Sequence, residues 1–75
     1  MNIYKIEKGR MVWWIVADMW EVAAVLLAEF IGAAEMTGYT ITRMGELVGD
    51  SKFPPGVFAV GASEVPVTVA GVYSK

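Results

Sequence analysis

Residues 11–34 read MVWWIVADMWEVAAVLLAEFIGAA, and this stretch decides the fold. Its first seven residues are apolar throughout, a strand with both faces covered, because side chains alternate across a strand. Trp13 and Trp14 must therefore point to opposite sides. Asp18 then opens an apolar-periodic run. An aspartate there predicts an N-cap, its carboxylate accepting the free amides of the first turn, and Glu21 completes a capping box. The helix is expected over residues 18–36, stopped by Gly38 in the left-handed conformation.

At about 100° per residue this helix has two faces. Met19, Trp20, Ala23, Leu27, Phe30, Ile31 and Ala34 form the expected core face. Glu21, Val25, Ala28, Gly32 and Glu35 form the other, with Asp18 and Glu29 beside them. Every charge on that second face is negative, and no Lys or Arg lies in the helix to pair with it.

Outward from this stretch, residues 2–7 alternate as a strand, and Lys8-Gly9 predicts a two-residue hairpin turn. That register pairs Glu7 with Arg10, Ile6 with Met11, Tyr4 with Trp13 and Ile3 with Trp14. One face then carries Tyr4, Ile6, Met11, Trp13 and Ile15, the expected core. The other carries Ile3, Lys5, Val12, Trp14 and Val16, the expected outer surface, so Trp14 should be less buried than Trp13. The chain looks too short to cover that outer face itself, which leaves it to something outside the fold. Beyond Gly38, residues 39–48 predict a third strand with a bulge or bend at Gly45. Residues 49–56 make a Pro-Pro loop, residues 57–60 a short strand and residues 61–64 a turn. Residues 65–73 make a last strand, placed at an edge by Pro66. The order ββαβββ is α+β: one helix on a mainly antiparallel sheet of four to five strands, within one domain spanning residues 1–75.

Composition narrows the function classes. Net charge is −2, which disfavours a general nucleic-acid binder. The chain has no Cys, so no thiolate chemistry, and no His, the commonest general base. Without His the Ser and Thr hydroxyls lack their usual activating partner, and catalysis is not expected. No cofactor or metal is implied: Asp18 and Glu21 are explained by capping, and Gly45 and Gly49 form no phosphate loop with Ser51-Lys52. Lys5, Lys8 and Arg10 precede an apolar run, as in a targeting segment, but Asp18, Glu21 and Glu29 interrupt it. The uncharged stretch of residues 11–17 is far short of the about 20 residues a membrane span needs. A cytoplasmic protein with no membrane partner is expected.

Residues 3–31, from IYKIEKGR through a strand ending in VAD to a helix, resemble small phage and mobile-element proteins, anti-CRISPR inhibitors among them. The resemblance implies a protein that binds and disables a host protein or complex in the host cytoplasm, and it carries no functional residue onto this chain. The leading expectation is a small interaction protein without catalysis. Its partner-binding residues would be Trp14, Val12 and Val16 on the outer sheet face, or Glu21, Glu29 and Glu35 on the acidic helix face. Two alternatives stand beside it. One is a nucleic-acid-binding accessory protein using Lys5, Lys8 and Arg10. The other is a structural subunit, a homodimer or larger symmetric homo-oligomer, burying its apolar outer face against copies of itself.

Overall fold

A computed structural model describes residues 1–48, 53–61, 64, 66, 73 and 74. Five strands and one helix follow in the order β1 (Asn2–Lys8), β2 (Met11–Ala17), α1 (Trp20–Ile31), β3 (Thr40–Leu47), β4 (Gly56–Val60) and β5 (Tyr73–Ser74). All pairings are antiparallel, and the sheet order is β4-β2-β1-β3-β5. The protein is thus α+β, with one helix packed on an antiparallel sheet. The expected strand at 65–73 falls largely outside the described residues; Tyr73–Ser74 do pair with β3 at the sheet edge. Part of the loop at 49–56 and of the turn at 61–64 also lies outside them.

The β1–β2 hairpin turns at Gly9-Arg10, not Lys8-Gly9: Lys8 pairs with Met11, Ile6 with Trp13 and Lys5 with Trp14. Gly9 has φ +60 and Arg10 has no positive φ, so the glycine takes the first central position, as in a type II′ turn. The register is displaced by two residues from the expected one. Two is the side-chain period of a strand, so each residue keeps its expected face. The irregularity foreseen at Gly45 is a β-bulge: Ile3 pairs with Gly45 and Tyr4 with Arg43, leaving Met44 unpaired. A second bulge leaves Phe58 unpaired between Val57 and Ala59.

Two cores result, one on each side of the sheet. Under the helix, Tyr4, Ile6, Trp13, Ile15 and Ala17 pack with Ala23 and Leu27. On the opposite side, Ile3, Trp14 and Val16 are buried against Val12, Met44, Leu47, Phe53, Phe58 and Ala59. The expectation of an open outer face is therefore corrected. Both bulged residues, Met44 and Phe58, join this second cluster, and Phe53 from the β3–β4 connection meets Phe58 edge-on at 5.1 Å. The chain covers both faces of β2 itself.

The helix differs from expectation at both ends. It starts at Trp20, so the N-cap position belongs to Met19, which makes no side-chain cap hydrogen bond. Asp18 lies one residue too early; its backbone carbonyl instead accepts from Asn2 Nδ2 at 3.0 Å. At the other end Gly32, φ 72 and ψ 27, stops the helix before Gly38 is reached. The amides of Gly32 and Ala33 both return to the Ala28 carbonyl. Two stability measurements check these assignments. Asp18→Ala should change stability by less than about 0.5 kcal/mol, because the residue is exposed and its bond to Asn2 is made by the backbone carbonyl, which alanine keeps. Gly32→Ala should cost about 1–2 kcal/mol, from the left-handed backbone alone, since nothing lies within 4 Å of an added Cβ.

Candidate functional site

Helix α1 lies mainly over β2 and β4 and touches β3 less. Only Ala23 and Leu27 of its side chains are fully buried. The helix therefore faces the sheet with one small and one large side chain. Trp20 and Phe30, expected in the core, are 56% and 59% exposed, and Met19 and Ala34 are exposed as well. Ile31 packs against the core as expected, and Leu26, not assigned to that face, does so as well.

The offset of the helix leaves a groove over the helix-side face of β1 and β3. It encloses about 500 Å³ and is lined by Tyr4, Trp20, Tyr39, Ile41 and Arg43. Strand register places three of these. Tyr4 pairs with Arg43 and Ile6 with Ile41, so Tyr4 and Ile41 share one side of the sheet with Arg43. Tyr39, just before β3, packs against Trp13 at 5.8 Å, and Lys8 Nζ sits 4.7 Å from the Tyr39 ring centre. Trp20, the first residue of α1, forms the wall facing them.

Asn2 ties this end of the molecule together. Its Nδ2 donates to Tyr4 Oη at 3.3 Å and to the Asp18 carbonyl, and its Oδ1 accepts from Arg43 Nε at 3.2 Å. Strand β1, the helix entrance and Arg43 are thereby held in one arrangement. Arg43 Nη2 also reaches Glu46 Oε2 at 3.5 Å, an exposed i,i+3 pair that contributes little to stability.

The residues anticipated from sequence separate into three groups. Trp14 and Val16 are fully buried and Val12 is half-buried, so the outer sheet face offers no free surface around Trp14. Glu21, Glu29 and Glu35 are exposed, and Glu21 and Glu29 flank exposed Val22 and Val25 on the outer side of α1. The cations of the hairpin do not converge. Lys5 lies on the Trp14 side, 5.9 Å from that ring and 3.9 Å from Glu7 Oε1, while Lys8 lies on the helix side over Tyr39. The groove itself was not foreseen. Its signal in the sequence is the row Tyr39, Ile41, Arg43, but which strand that row pairs with is a long-range property.

No known family model matches the chain, and neither a curated protein nor a solved structure shows detectable similarity to it. Among the described residues, no helix is long and apolar enough to cross a membrane.

Proposed function

We propose that this is a small non-catalytic interaction protein that occludes a partner protein through the outer face of α1. One observation carries the reading: Val22 and Val25 stand exposed beside the carboxylates of Glu21 and Glu29 on the outer side of α1. Exposed apolar side chains rimmed by charge are a form that protein-docking surfaces take. Glu29 lies in the last turn, where the helix dipole disfavours a carboxylate, so local helix stability does not explain it. The complementary partner is a basic surface with an apolar centre. A second copy of this chain fits poorly, because it would set Glu21 and Glu29 against their own kind. The likeness of the strand–turn–strand–helix segment to phage and mobile-element proteins supports a phage-encoded inhibitor, anti-CRISPR-like in mode. Nucleic acid is a weaker reading, since Lys5 and Lys8 lie on opposite sides of the sheet.

Immobilised protein tests this against extract of the source cell. The same partner should be held by wild type and by Lys8→Glu/Arg10→Glu, and released by Val25→Glu and by Glu21→Lys/Glu29→Lys. Association should also slow with salt, as expected of charge-steered docking. A partner lost only with the hairpin double variant, or held equally by all variants, refutes the proposal.

A further inference from the structure

We propose that the groove between α1 and the β1–β3 pair binds a planar aromatic anion, its ring against Trp20 and Tyr39 and its acid group on Arg43. This site is separate from the outer helix face: Trp20 projects on the side of α1 toward the sheet, and Val22 and Val25 on the other.

Volume, wall chemistry and charge agree on this ligand class. About 500 Å³ lies within the range of small-molecule sites, which combine apolar and aromatic walls with a few orienting polar groups. Of the five lining residues among those described, three are aromatic and one, Arg43, is charged. The Trp20 indole is more than half exposed in a chain that buries both its other tryptophans. A flat ring stacked on it would remove that apolar surface from water. The guanidinium presents a planar fork of donors that suits carboxylate or phosphate, and Asn2 Oδ1 fixes it through Nε. Lys8, four residues along β1 from Tyr4 and so about 13 Å away, adds a second positive charge beyond Tyr39. Both ends of the aromatic row are therefore cationic in a protein of net charge −2. Among the described residues no carboxylate lines the groove; the nearest on Arg43 is Glu46, held at 3.5 Å. An incoming acid group would take its place on Nη2.

An aromatic carboxylate and a nucleoside monophosphate share this chemistry, and the experiment separates them. Indole-3-acetate and AMP are titrated into the full chain, with indole-3-acetamide and adenosine as uncharged controls, and the Trp20 indole N–H and the Ile41 methyl resonances are followed. At least one acid should shift both signals and bind about tenfold more tightly than its uncharged control, as for a charge-assisted contact. Whichever acid binds identifies the source. Arg43→Gln should erase the difference between acid and control, whereas Glu46→Gln should tighten binding of the acid several-fold by removing its competitor. Trp20→Ala, exposed and so tolerated by the fold, should weaken acid and control alike. Absence of any shift at millimolar concentration, equal binding of acid and control, or weaker acid binding in Glu46→Gln overturns the proposal.

Discussion

Trp14→Ala is expected to remove about 3–5 kcal/mol of stability, no less than Trp13→Ala. Trp14 is fully buried and Trp13 is 6% exposed, so neither indole has water to fall back on. Deleting Trp14 would open a cavity in the cluster it forms with Ile3, Val16, Phe53 and Phe58 on the side away from the helix. Deleting Trp13 would remove the ring that supports Tyr39 and with it one wall of the groove. Denaturant unfolding followed by circular dichroism measures both. A loss below about 1 kcal/mol for Trp14→Ala, the level of an ordinary substitution, would show that the second cluster is not a core.

Leu27→Ala should cost about 2–5 kcal/mol. Helix α1 anchors to the sheet through Ala23 and Leu27, and Ala23 has little side chain to contribute. The twelve residues of α1 are too few to stay helical alone in water, so the helix depends on this contact. For a domain of this size each kcal/mol lowers the melting temperature by about 4–8 °C. A shift of at least about 8 °C in a thermal scan is therefore expected, while Val25→Ala on the exposed face should shift it by less than about 4 °C. Equal shifts would mean that the helix is rotated from the orientation described.

The fold class was legible in the sequence because strand periodicity is forgiving. A hairpin register wrong by two residues still assigns Tyr4, Ile6, Trp13 and Ile15 to one face and Ile3, Trp14 and Val16 to the other. Helix phase is less forgiving. Met19, Trp20 and Phe30 look like core because they are large, yet the residues buried against the sheet are Leu27 and the small Ala23. Helix ends were ambiguous for a related reason. Asp18 and Gly38 are strong local signals, but the chain reaches β3 by stopping at the earlier Gly32. The burial of Trp14 was illegible because its covering residues, Met44, Phe53 and Phe58, come from segments far along the chain. The groove was hidden for the same reason: it exists only once β3 pairs with β1 and the helix settles toward β4.

The sheet order carries a consequence for biosynthesis. The hairpin, made before the rest of the sheet, supplies two of its three inner strands, β1 and β2, and each waits for a neighbour made much later. Between Ala17 and Val60 the ribosome adds 43 residues, about 2–9 s at ordinary translation rates. During that interval β2 is apolar on both faces and has an unsatisfied edge, the form most prone to pair with another nascent chain. Slow translation through β3 would lengthen the exposure. Yield of soluble protein should therefore depend on chaperone supply and on synthesis rate more steeply than the stability of the finished fold suggests.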